Sequence, residues 1–179
     1  MPIALRGALI RALGIFGAAL FMVHVAVHSA LAADLSWPDM SLPNPWHTPG
    51  AIDPAITQAN IAATICKHGY TAIVRPPARL TNQLKSAQLR DWKYADRNPR
   101  DFEEDHLISL EFRGTPRDPR NLWPEPYAGQ WGARVKDQVE DRLHRLVCAG
   151  KLPLATAQHM IATDWISAYR RTVAPAKKH

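Results

Sequence analysis

Read along the chain, the apolar residues change period several times, and each change marks an element. Leu80, Leu84, Leu89 and Trp92, with Lys85 and Arg90 between them, predict an amphipathic helix over residues 80–94 that Asn98-Pro99 brings to an end. Val135, Val139, Leu143 and Leu146 form one stripe over residues 134–148, with charges elsewhere and Gly150 just past the end. Pro153 then starts a last helix, in which Leu154, Ala157, Ile161, Trp165 and Ala168 keep the period. Upstream, Thr57 offers an N-cap, and QANIAATICK runs at helical spacing through Ile61, Ile65 and Cys66 to a stop at Gly69. Tyr70–Val74 is rich in strand formers and stops before Pro76-Pro77, which predicts a brief edge strand or an extended connector. Two short runs, residues 102–108 and 121–123, read as strands separated by a loop that Gly114, Pro116 and Pro119 break. The order strand, loop, strand, helix is a ββα unit inside a mostly helical α+β chain.

Two segments fall outside these periods. Residues 33–56 hold five prolines with Trp37 and Trp46, which predicts an extended segment laid over the domain and tacked down by the two tryptophans. Residues 1–32 read as a signal peptide: Arg6 and Arg11 precede the apolar run 12–27, and Ala30-Leu31-Ala32 supplies the small-x-small pattern before cleavage. That run is shorter than the roughly 20 residues that span a bilayer, so the expectation is export, to the periplasm or beyond, without stable membrane insertion. The domain is then expected over residues 57–172, with a basic tail at 173–179 and no internal repeat.

Cleavage removes two of the 22 Lys and Arg and none of the 16 Asp and Glu, which leaves 20 against 16. A net charge of this size would ease the approach to a polyanion, yet many exported domains share it, so charge alone excludes little. Only Cys66 and Cys148 are present, and in an exported chain they most simply form one disulfide; buried free thiols are the alternative.

The densest chemistry lies in FEEDHLISLEFRGTPRDPRNLWPEP, residues 102–126, where Glu103, Glu104, Asp105 and His106 stand side by side. Asp105-His106-Leu107-Ile108 followed by Asn121-Leu122-Trp123 and a helix resembles the HNH (His-Me finger) endonucleases. The wider string TICKHGYTAIVRPP to KDQVEDRLHRLVCAG looks like a group of small exported bacterial proteins of that kind. The resemblance implies a metal-dependent nuclease that hydrolyses DNA or RNA phosphodiesters with little sequence preference. Only histidine has an ordinary pKa near neutrality, so His106 is the expected general base. Asp105 is the expected ligand of a divalent ion, Mg²⁺ or alternatively Mn²⁺. Asn121 is expected to orient the loop and the His106 ring. Gln130 stands where many such sites carry a His or Asn ligand, which leaves Glu140 on the helix as the expected second ligand, with Asp137 turned to solvent. Ser109 and Arg113 are further departures, at positions where relatives often have proline and glycine.

Arg113, Arg120, Arg134 and Lys136, with Arg117, are the expected phosphate contacts. Each has a plainer reading as a solvated charge. Glu103 and Glu104 are expected to be solvated charges flanking a strand, His144 and His159 to lie on exposed helix faces, and Trp123 and Trp131 to belong to the core. A regular strand would aim Asp105 and His106 to opposite sides, so a joint site requires the strand to end or bulge there. The alternative function is a non-catalytic exported envelope protein that uses the same scaffold to bind or to support.

Overall fold

Residues 41–174 are described by the computed structural model; the expected signal peptide, Trp37 and the part of the expected basic tail from residue 175 lie outside the described residues. Over the described residues the fold is α+β, about half helical with one two-stranded antiparallel sheet. Its elements are α1 (Tyr70–Val74), α2 (Ala78–Asp91), β1 (Phe102–His106), β2 (Leu122–Pro126), α3 (Ala133–Cys148) and α4 (Leu154–Thr172). Short 3-10 turns precede both strands, at Pro99–Asp101 and Pro119–Asn121, each capped by the side chain before its proline, Asn98 or Asp118.

The register of the sheet decides where the chemistry faces. Asp105 pairs with Trp123 and His106 with Leu122, without a bulge. Side chains alternate, so Glu103, Asp105, Trp123 and Glu125 share the face toward α3, while Phe102, Glu104, His106 and Leu122 share the face toward α2. Beyond His106 the ladder continues for one bond, from the Leu107 amide to the Asn121 carbonyl. Pro124 and Pro126 stand opposite Glu104 and Phe102, alternate positions at which a missing N–H costs the two-stranded ladder no bond. Lys85 and Gln88 of α2 and the Tyr94 hydroxyl donate to the carbonyls of Phe102, Leu122 and Pro124, which explains why two polar residues of α2 are buried.

On the other face, Val139, Leu143 and Val147 of α3 pack with Ala157, Ile161, Trp165 and Ala168 of α4, and Trp123, Phe112 and Ile65 complete the core. Each large side chain in it contributes on the order of 1.5–3 kcal/mol by leaving water. The helix α4 is interrupted at Asp164, whose carboxylate accepts from the Ser167 amide and hydroxyl and so caps the second half from within. Cys66 and Cys148 form the expected disulfide, with Cα atoms 5.6 Å apart.

Three expectations are corrected. Tyr70–Val74 is a helical turn rather than a strand: Gly69, in left-handed backbone, opens it, and the Ile73 amide donates to the Gly69 carbonyl. The helix expected from Thr57 to Gly69 is a 3-10 turn over Gln58–Ala63 that breaks at Thr64. Trp46 does not tack down the leading segment, since it is 90% exposed. That task falls to buried Thr48 and Ile56, to His47 stacked on Trp92 at 4.5 Å, and to the Ser41 carbonyl, which accepts from the Trp165 indole.

Candidate functional site

The loop between the strands is built around Asn121. Its side-chain oxygen accepts from the Ile108 amide at 2.9 Å and from the Ala51 amide at 3.5 Å. Its amide nitrogen donates to the carbonyls of Ile108 and Thr115. Gly114 lies against this knot so closely that a Cβ there would sit 1.6 Å from the Ile108 carbonyl oxygen, so only glycine fits. Asn121 therefore orients the loop, as expected, but it does not bond the His106 ring. The ring is held one residue beyond the knot, where Nε2 donates to the Pro116 carbonyl at 3.0 Å. A carbonyl can only accept, so the neutral ring keeps its proton on Nε2 and leaves Nδ1 as the basic atom.

Burial holds the His106 pKa below the ordinary histidine value, against the pull of the Pro116 carbonyl and of Asp105. The imidazole is therefore neutral at neutral pH. It lines a cleft with Arg75, Pro76, Lys85, Glu103, Glu104 and Tyr127. Arg75 lies close enough to bear on the titration of His106 and Glu103. The sequence offered one signal for Arg75, its place just before Pro76-Pro77, and that signal marked only the end of a short extended segment.

Asp105 faces the other way, onto α3. There the ammonium of Lys136, 1% exposed, donates to Asp105 Oδ2 at 2.5 Å, to the His106 carbonyl at 3.0 Å and to Glu140 Oε1. Asp105 and Glu140 do converge, as expected of a ligand pair, and Asp137 is exposed. They converge, however, on a lysine. All three ammonium protons are committed, and a divalent ion does not fit beside them at the same point. Lys136 is likewise corrected as a phosphate contact, since a buried ammonium with three partners reaches no solvent.

The electrostatics follow from three acids sharing one base. Burial opposes the Lys136 charge, yet Asp105, Glu140 and Glu125 outweigh it and hold the ammonium well above its ordinary pKa. Burial pushes Glu140 up to about 8 despite Lys136. It also raises Glu125, whose two oxygens are enclosed without a partner, well above the carboxylate range, with Asp105 adding to the shift.

The expectation that Glu104 is solvated is corrected too. Both its oxygens are enclosed without a hydrogen-bond partner, and burial pushes its pKa up to about 9 against the pull of Lys85. The folded protein thus keeps a proton that the unfolded chain releases from about pH 4.5 upward, and stability falls as pH rises through that window to about 9. Glu104→Gln is expected to stabilise the fold by about 1–3 kcal/mol near pH 8 and to flatten the decline from pH 5. Thermal melts of both proteins across that range check it; an unchanged pH slope would refute this role for Glu104.

Of the arginines, only Arg75 lines the cleft; the expected phosphate contacts Arg113, Arg117, Arg120 and Arg134 do not. Arg117 and Arg134 are exposed, the latter over the Tyr127 ring, and Arg120 is exposed but paired with Asp118 at 2.6 Å. Arg113 is half-buried in left-handed backbone at φ 61°, the conformation that favours the glycine of the resemblance. Ser109 caps the turn at Leu110–Phe112 in place of proline. Trp123 is core, and Trp131 packs edge-on against Trp165 and Tyr169. His159 is exposed, but His144 is half-buried, donates from Nε2 to the Ile65 carbonyl and lies 3.7 Å from Glu111. A His144 ring nitrogen and the sulfurs of Cys66 and Cys148 fall within 4.8 Å of one another, a Cys-His-Cys grouping with metal-site spacing whose sulfurs here are bonded to each other.

Fold and site together define a class: an α+β domain whose two-stranded sheet presents a polarised histidine to a cleft on one face and a lysine-filled acid cluster to a helix on the other. Compared with protein-family models, curated proteins and solved structures, the chain matches none.

Proposed function

We propose that the chain is an exported nuclease of the HNH-like kind that hydrolyses phosphodiester bonds of DNA or RNA with little sequence preference. The observation that carries this reading is the His106 ring, neutral, fixed by the Pro116 carbonyl and buried in the lining of a cleft that Arg75 also lines. His106 Nδ1 takes a proton from water; the water oxygen bonds to phosphorus as the bond to the leaving oxygen breaks. The Arg75 guanidinium meets the phosphate charge, with Arg117 and Arg134 positioning the backbone further out. Mg²⁺ has no place between Asp105 and Glu140, because Lys136 holds that point. Export agrees with the disulfide, which suits an oxidising compartment; among the described residues no helix is long and apolar enough to cross a membrane.

The second reading is a non-catalytic binding or structural module, and the same lysine-filled cluster favours it. The purified chain, incubated with plasmid DNA and with RNA, each with Mg²⁺, with Mn²⁺ and with chelator, decides between them. Nicked plasmid or shortened RNA that persists in chelator is expected. Intact nucleic acid in every arm would leave the binding module.

A further inference from the structure

Asp105, Glu125 and Glu140 gather around a nitrogen rather than around open space. We propose that the Lys136 ammonium is a built-in cation: it stands where a divalent ion would sit between Asp105 and Glu140, closes that position to Mg²⁺ and Mn²⁺, and on removal leaves an oxygen-lined divalent-cation site. This goes beyond the nuclease reading and stands whether or not the chain cleaves nucleic acid.

The donor set is that of a hard cation. Asp105 Oδ2, Glu140 Oε1 and the His106 carbonyl oxygen all point at one atom, and an all-oxygen set with carboxylates is what Mg²⁺ or Mn²⁺ takes. The His106 carbonyl is available because His106 and Leu122 form a non-hydrogen-bonded pair of the ladder, the next bond running from the Leu107 amide to the Asn121 carbonyl. Glu140 is available because it lies one turn beyond Lys136 on α3. A second observation concerns the same point: Glu125, fully buried beside the same lysine, receives no hydrogen bond from any N–H donor on either carboxyl oxygen and shares its environment with Asp105. Three acids around one ammonium leave the pocket with more oxygen donors than the lysine engages. Yet an ammonium and a divalent ion cannot share one point, because like charges repel most strongly where water is excluded.

An ordinary buried ion pair would make a different prediction. Losing the lysine of such a pair leaves buried charge that nothing restores, whereas losing a built-in cation leaves a vacancy that a metal refills. The test uses the full chain, Mn²⁺ alone as the probe, and calorimetric titration with thermal melting as readouts. The native protein is expected to take up no ion at this position and to melt at the same temperature with Mn²⁺ or with chelator. Lys136→Ala is expected to melt lower than the native protein in chelator, to recover on adding Mn²⁺, and to bind one ion at least about tenfold more tightly than the native chain does. The gain should vanish in Lys136→Ala/Asp105→Asn. If Lys136→Ala does not fold in chelator, refolding it in Mn²⁺ gives the same reading: recovery supports the proposal and continued failure opposes it. One Mn²⁺ bound by the native chain and lost in Asp105→Asn would overturn the proposal outright.

Discussion

Replacing His106 by glutamine is expected to slow phosphodiester cleavage by about 10²–10⁴-fold, the usual contribution of a positioned general base. Glutamine preserves a polar group that can donate to the Pro116 carbonyl, so the loop has a substitute for the ring contact. What it lacks is a basic atom where Nδ1 stands. The pH profile separates loss of a base from loss of shape. Burial holds the histidine below its ordinary pKa, so the native rate should rise with pH below about 6.5 and level off near neutrality. In His106→Gln that rising limb should disappear along with most of the rate. A folded variant that keeps the native rate and the same limb would remove His106 from the chemistry.

Opening the disulfide should be the largest single loss of stability. Cys66 and Cys148 are 82 residues apart in sequence, and closing a loop of that size restricts the unfolded chain by about 4–5 kcal/mol on the chain-entropy account. Domains of this length are stable by roughly 5–15 kcal/mol in all, so the bond carries a large share. The paired substitution Cys66→Ser/Cys148→Ser, or treatment with a dithiol, is expected to lower the melting temperature by roughly 10–20 °C. The ends it joins differ in regularity: the first is an irregular stretch after a 3-10 turn, tied down by buried Ile65 and the His144 bond to its carbonyl, and the second is the last turn of α3, where Val147 is buried. A melting temperature within a few degrees of the native value would show that local contacts already hold the two ends together.

What the sequence revealed and what it hid follow one physical line. Helical stripes that bury one face were legible, because Val139, Leu143, Ile161 and Trp165 answer to the hydrophobic effect alone. The strand pair was legible from two short runs around a loop broken by Gly114, Pro116 and Pro119, and the disulfide from the two cysteines of a chain expected to be exported. Local propensity failed where the partner decided. Tyr70–Val74 has the composition of a strand, but the two strands of the sheet pair with each other, and Gly69 turned the segment into a helical turn. Glu104 reads as a solvated charge from its neighbours, and only the packing of α2 against β1 encloses it. At the site, the convergence of Asp105 and Glu140 was foreseen from a strand end and a helix face, whereas the atom they converge on was not. Lys136 looked like one more surface cation, because charge on a helix usually is solvated. Its burial depends on where α3 crosses the strand end, which no spacing rule contains.

The covalent bond between Cys66 and Cys148 makes a ring of everything between them, and α1, α2, both strands and all of α3 lie inside it. Where a protease reaches the chain, one cut within that ring interrupts the sequence without dividing the molecule. The two pieces stay tethered, each still able to dock on the other, so the cleft and the acid cluster are covalently insured against a single nick.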